Sequence, residues 1–135
     1  MVGVAADTNI CISALIFAGL PRQFLLAAED ARIHLFISEP IRRELVRILQ
    51  AKFSWSNDQV NETLLQLESC TELVHPTETL DVIKEDPDDD RVLECAVAAG
   101  ARFIVSGDND LLRLGRFRNI RIVKVADFMK LITPP

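Results

Sequence analysis

No tyrosine occurs in this sequence of 135 residues, and seven phenylalanines with one tryptophan make aromatics only 6% of it. So sparse a set argues against a platform on which successive bases stack. Cysteine is scarce too: Cys11, Cys70 and Cys95 are an odd number without a CxxC spacing, which argues against a disulfide framework and a zinc knuckle and for a reducing compartment. Positive charge is in deficit. Fifteen Lys and Arg against twenty Asp and Glu leave a formal charge of -5, which disfavours a protein holding nucleic acid chiefly by a net positive field but does not exclude a nuclease. Long hydrophobic runs are missing as well. The most apolar early stretch, Ile10 to Leu20, is about half the ~20 residues of a membrane-spanning helix, and Asp7 rather than a basic cluster precedes it. Val2 stands where myristoylation needs Gly, and Thr133-Pro134-Pro135 is no prenylation motif. The expectation is a soluble, cytoplasmic protein with no membrane partner.

What is present is enough apolar residue for one core. At 49% hydrophobic and 26% charged, residues 1–135 read as a single domain. Brief apolar runs at Val2 to Ala6, Ile33 to Ile37, Glu72 to His75, Phe103 to Val105 and Ile120 to Val123 have the character of buried strands. Helical patterns lie between them. Asn9 to Ala18 and Arg22 to Ala31 come first, then Glu39 to Ala51 behind Ser38, with Ile41, Leu45, Ile48 and Leu49 on one stripe. Ser56 and Gln59 fit a capping box, Asp88 or Asp89 can cap a helix that Gly100 ends, and Ala126 to Ile132 closes the chain. Strands alternating with helices predict an α/β fold, a three-layer α/β/α sandwich with a mostly parallel central sheet of about five strands.

Ligands of such sheets bind at the carboxyl ends of strands. Asp7 ends the first apolar run, and Asp108 lies just beyond Phe103-Ile104-Val105. Between Asp81 and Asp110 nine acids face three bases, a local balance of -6, while the rest of the chain is +1. Asp7, Glu44, the run Asp86 to Asp90, and Asp108 with Asp110 can therefore offer carboxylates to one site. Crowded carboxylates repel one another, and a hard divalent cation such as Mg²⁺ or Mn²⁺ relieves them; oxygen ligands without Cys or His favour those ions over zinc. Such ions serve phosphodiester hydrolysis.

These blocks resemble the PIN domain ribonucleases, a family that includes toxins of toxin-antitoxin pairs. Val4-Ala5-Ala6-Asp7-Thr8-Asn9 resembles the family's opening strand and Asp-Thr-Asn, and Ser38-Glu39-Pro40-Ile41-Arg42-Arg43-Glu44-Leu45 its second acidic helix. Asp86-Pro87-Asp88-Asp89-Asp90-Arg91 is similar to the segment of the third acid, and Ser106-Gly107-Asp108-Asn109-Asp110 to the turn carrying the fourth and fifth. The resemblance implies an Mg²⁺- or Mn²⁺-dependent endoribonuclease in which water activated by the metal attacks phosphorus in line. It implies Asp7, Glu44, Asp90 and Asp108 as catalytic acids and metal ligands, with Asp110 as an accessory ligand and Thr8, Asn9 and Ser106 holding the carboxylates. Asp86, Asp88 and Asp89 stay open as alternatives to Asp90. An RNA substrate, a cognate antitoxin protein and a homo-oligomer, most simply a dimer, are the partners it implies.

Plainer roles compete with these. Asp7 can cap the next helix, Glu44 can face solvent, the aspartate run can serve a helix dipole, and Glu94, one turn from Asp90, can equally face solvent. His34 and His75 read as structural or surface residues, and the cysteines as small core residues. Phe117 between Arg116 and Arg118 reads as packing beneath them. Arg42, Arg43, Arg113 and Arg116 are expected to contact RNA phosphates. Two other functions remain: a protein-binding module that keeps the fold without catalysis, and a Mg²⁺-dependent phosphatase of the haloacid-dehalogenase type. The latter wants Asp two residues beyond Asp7, where Asn9 stands, and a downstream lysine, which the Asp108 block lacks.

Overall fold

The computed structural model describes residues 1–133; Pro134 and Pro135, read above for a lipidation motif, lie outside them. Strand β1 (Val2–Ala6) enters the core at once, with Val4 and Ala5 fully buried. Helices α1 (Thr8–Ile16) and α2 (Leu20–Glu29) follow, and Gly19 between them takes φ 126°, a backbone region that suits glycine. Strand β2 (Ile33–Ser38) leads into α3 (Glu39–Phe53), which buries the expected stripe of Ile41, Leu45, Ile48 and Leu49. Ser38 flanks that helix, but its hydroxyl makes no capping bond. Helix α4 (Asn57–Glu68) does begin with the expected capping box: Ser56 Oγ accepts from the Gln59 amide, and the Gln59 side chain accepts from the Ser56 amide.

After β3 (Thr71–Val74) a long loop runs to α5 (Pro87–Ala99). Asp86, rather than Asp88 or Asp89, caps this helix, its Oδ1 accepting from the Asp88 amide at 3.0 Å. Proline explains the shift: Pro87 has no amide hydrogen and a preset φ, so it takes the first helical position and the cap falls on Asp86, the residue before it. Gly100 ends α5 in the left-handed conformation, as its position suggested. The chain finishes with β4 (Phe103–Val105), α6 (Asn109–Leu114), β5 (Arg116–Phe117), β6 (Ile120–Val123) and α7 (Val125–Ile132). Helix α6 and the two-residue strand β5 were not expected, because both are too short to show a period.

The sheet therefore has six strands rather than about five, in the order β3-β2-β1-β4-β6-β5. Every pair is parallel except β5 with β6. Helix α5 lies against β1, β2 and β4, while α2 and α7 pack on each other. Phe128 of α7 meets Phe24 at 5.6 Å and Phe103 at 5.5 Å, both edge to face, and is itself fully buried. The result is an α/β fold consistent with the expected three-layer sandwich. Among the described residues no single helix is long and apolar enough to cross a membrane, and α1 and α2 meet at a 91° bend.

From β1 the chain adds β2 and β3 on one side, then returns to place β4 and β6 on the other. That reversal opens a crevice beyond the carboxyl ends of β1 and β4, where ligands of open α/β sheets bind.

Candidate metal centre

Asp7 stands at the end of β1, where its amide donates to the Val105 carbonyl of β4 at 3.2 Å. Its Oδ1 accepts from the Ile10 amide at 2.9 Å, so the residue caps α1, and its Oδ2 accepts from the Ser106 hydroxyl. The Ser106 oxygen in turn accepts from the Asp108 amide at 2.9 Å. Asp108 caps α6 in the same way, its Oδ1 accepting from the amides of Asp110 at 2.8 Å and Leu111 at 3.2 Å. Capping and site formation are therefore one event. Asp7, Asp86 and Asp108 each begin a helix, and the reversal of strand order brings all three helix starts to one cleft.

That cleft is lined by Asp7, Glu44, Asp86, Asp88, Asp89 and Asp108, together with Thr8 and Asn9. Its free space of about 50 Å³ admits an ion with a few waters rather than a nucleotide. One carboxylate oxygen from each of Asp86, Asp89 and Asp108 lies within 4.8 Å of the others. Among the described residues, Asp89 Oδ2 is buried without a hydrogen-bond partner. An all-oxygen donor set with an unsatisfied buried oxygen fits a hard divalent cation.

The electrostatics match this crowding. Burial pushes the Asp89 carboxyl up to about 8, with the charge of Asp108 as the next cause. Asp7 is also raised by burial, opposed by its bond from Ser106, and Glu44 is raised by burial and then by the charge of Asp88. Each shift reports a cost of holding negative charge in the cleft.

Two of the expected residues stand apart from the cleft. Asp90, only 1% exposed, does not line the cleft; its Oδ1 accepts from the amides of Val82 and Ile83, both at 3.0 Å, and so pins the loop before α5. Asp89, one residue earlier, takes the place in the cleft that Asp90 was expected to fill. Asp110 also lies outside it, paired with Arg113 at 3.1 Å. Glu94 does not face solvent but accepts from the Leu80 amide and from Arg91, both at 2.8 Å. Thr8 and Asn9 line the cleft without bonding a carboxylate through their side chains, so Ser106 alone does the holding expected of the three, among the described residues.

The expected arginines divide as well. Arg42 is tied to Glu68 at 3.0 Å and lines an apolar groove beside β3 with Leu64 and Leu67, Arg113 is held by Asp110, and Arg116 lies in a groove by the amino ends of β4 and β6. Only Arg43 borders the acids. It shares a groove with Glu44, Asp88, Arg47 and Arg91, and the Arg91 Nε is buried without a partner. Arg47 and Arg91 join Arg43 there because α3 and α5 meet at this rim. Cys11 and Cys95 are buried thiols pushed up to about 12, which leaves them unsuited as nucleophiles.

A family model of the PIN domain matches residues 4–110, and the chain belongs to that family, whose members are generally nucleases. No curated protein matches. The fold is similar to that of VapBC2 from Rickettsia felis, solved bound to a DNA fragment from its promoter, with 18% identity, a TM-score of 0.63, and 89% of this chain and 96% of that one covered. The RRP44 PIN domain of T. brucei is also similar, at 15% identity and a TM-score of 0.47, over 96% of this chain and 79% of that one.

Proposed function

We propose that this chain is an Mg²⁺- or Mn²⁺-dependent endoribonuclease, the toxin of a cytoplasmic toxin-antitoxin pair. The observation that carries the reading is the convergence of Asp86, Asp89 and Asp108 within 4.8 Å, beside Asp7 at the reversal of strand order. Asp7, Asp89 and Asp108 would hold the metal, with Asp86 able to complete the set. When bound, a divalent ion supplies Lewis-acid chemistry for the phosphoryl oxygen and for water, and neutralises the carboxylates.

The protein's own residues divide the remaining work. Ser106 orients Asp7 and the Asp108 backbone together. Glu44 projects from a separate helix into the same cleft, and its raised carboxyl suits a group that takes a proton from water. Arg43 and Arg47 supply the positive rim on which the phosphates flanking the scissile bond would rest, beside Arg91, which Glu94 holds. This assignment omits Asp90 and Asp110, whose carboxylates serve Val82, Ile83 and Arg113. The likeness to VapBC2 supports a cognate antitoxin as a partner; a second copy of the chain would be a further partner, on the family resemblance alone.

The test is cleavage of structured and single-stranded RNA with Mg²⁺, with Mn²⁺ and with chelator, beside folded Asp7→Asn and Asp108→Asn proteins. Metal-dependent cutting abolished in both variants supports the reading. No cutting and no divalent-metal binding leave a protein-binding module, and a trapped phosphoprotein would indicate a phosphatase. Light scattering and co-purification with the neighbouring gene product test the partners.

A further inference from the structure

At the end of the sheet opposite the acids, a groove of about 540 Å³ is rimmed by Arg102, Arg116, Arg118 and Asn119. Arg102 precedes β4, and Arg121, whose amide donates to the Arg102 carbonyl at 2.9 Å, lies directly across the β5-β6 ladder from Arg116. Like charges placed opposite each other on neighbouring strands destabilise the pair. Among the described residues, Arg102, Arg116 and Arg121 make no ion pair that would offset this. Arg118 alone has a partner, Glu78, which it holds through two bonds of 2.9 and 3.0 Å. It does so from φ 54°, a left-handed conformation that costs a side-chain-bearing residue about 1–2 kcal/mol.

The carboxyl end of α5, with its partial negative charge, accounts for one cation here, since that helix has no basic residue in its last turn. It does not account for the three arginines of the groove. The chemistry of the rim points to an anion that accepts hydrogen bonds and donates none: guanidiniums supply donors only. Phosphodiesters meet that condition. Aromatic stacking is already taken, because Arg118 covers Phe117 at 5.0 Å and Arg121 covers Phe103 at 5.5 Å. Contact would therefore be with the strand's backbone, whatever its bases.

We infer that this arginine groove is a second RNA-binding site, which grips phosphates of the substrate strand away from the bond that is cut. The inference rests on the ribonuclease reading for its ligand. Asp108 stands six positions beyond Arg102, so groove and cleft lie within about 20 Å of each other along the chain. At the ~3.4 Å rise per phosphate of a stacked, helical strand, about six nucleotides span that distance.

The experiment measures fluorescence anisotropy in chelator, with labelled RNAs of about 16 and about four nucleotides, the two ends of the range of single-strand site sizes. Arg102→Glu/Arg116→Glu and the milder Arg102→Gln/Arg116→Gln are compared with wild type and with Lys52→Glu/Lys130→Glu, a charge-matched control, all verified as folded by circular dichroism. Expected is a tenfold or greater loss of affinity for the longer RNA in the Arg→Glu protein, less than threefold for the shorter, and little change in the control. The salt dependence should become shallower by about 1.4, for two phosphates no longer neutralised. Equal binding of the longer RNA by wild type and both arginine variants overturns the inference. So does a groove that binds polyglutamate, but not RNA, in an arginine-dependent way. Because binding is read without metal, arginine-dependent RNA binding by a protein that cleaves nothing would keep this site and overturn the nuclease reading.

Discussion

Asp89 and Asp90 are neighbours in the first turn of α5, yet Asp89 faces Asp108 in the cleft while Asp90 holds the amides of Val82 and Ile83. One carboxylate is left for a ligand and the next is consumed by the loop before the helix. Their substitutions should therefore separate. Asp89→Asn is expected to lower metal-dependent RNA cleavage at least a hundredfold and leave the metal-free protein as stable as wild type, or more so. Asp90→Ala strands two amides, one of them buried, and should cost about 1–3 kcal/mol for each that becomes unsatisfied. Cleavage assays beside urea titrations decide the pair.

The pH dependence of stability follows from the same cleft. Asp89 is raised from 3.8 to about 8, so in this range the folded protein binds a proton more tightly than the unfolded chain. Its contribution is complete below about pH 4 and is lost as pH rises through about 8. Asp7 and Glu44, shifted in the same direction, act with the same sign. Metal-free protein should thus show a falling Tm between about pH 5 and 8 from these groups. Asp89→Asn or added Mn²⁺ should flatten the decline. A decline of equal size in Asp89→Asn would remove Asp89 as its source.

Ser106 joins the ends of β1 and β4 through one hydroxyl. Its removal leaves every proposed ligand in place but frees Asp7 to turn. Ser106→Ala is expected to weaken Mn²⁺ binding and cleavage by about 10–100-fold. Calorimetric titration with Mn²⁺ measures the first, and unchanged affinity would relegate the serine to packing.

Arg43 and Arg47 border the acids without supplying a ligand. Arg43→Glu/Arg47→Glu should weaken RNA binding about tenfold and reduce the salt slope by about 0.7 for each phosphate left without its arginine. Metal affinity should hold, which distinguishes a substrate rim from a disturbed centre.

Phe128 tests the frame instead of the chemistry. It is fully buried where α2, α7 and β4 meet, so Phe128→Ala should cost about 3–5 kcal/mol in a denaturant titration. A smaller loss would mean that the site around Phe24 and Phe103 collapses to fill the space.

Much of this was readable along the chain because the signals are local. Apolar runs marked the parallel strands, Gly100 ended a helix, Ser56 with Gln59 began another, and Asp7 and Asp108 stood at strand ends. Residue order could not choose among Asp86, Asp88, Asp89 and Asp90, since neighbouring side chains in a first helical turn differ by only ~100° of rotation. The loop at Val82 and Ile83 made that choice by taking Asp90. Nor could it show that Arg43, Arg47 and Arg91 share the acids' rim while Arg102, Arg116 and Arg121 gather at the opposite end. Sequence determined which residues carry charge and which elements they cap, because capping and periodicity act over a few residues. Tertiary structure decided which charges meet, because that depends on strand order and on which backbone amides claim a carboxylate first.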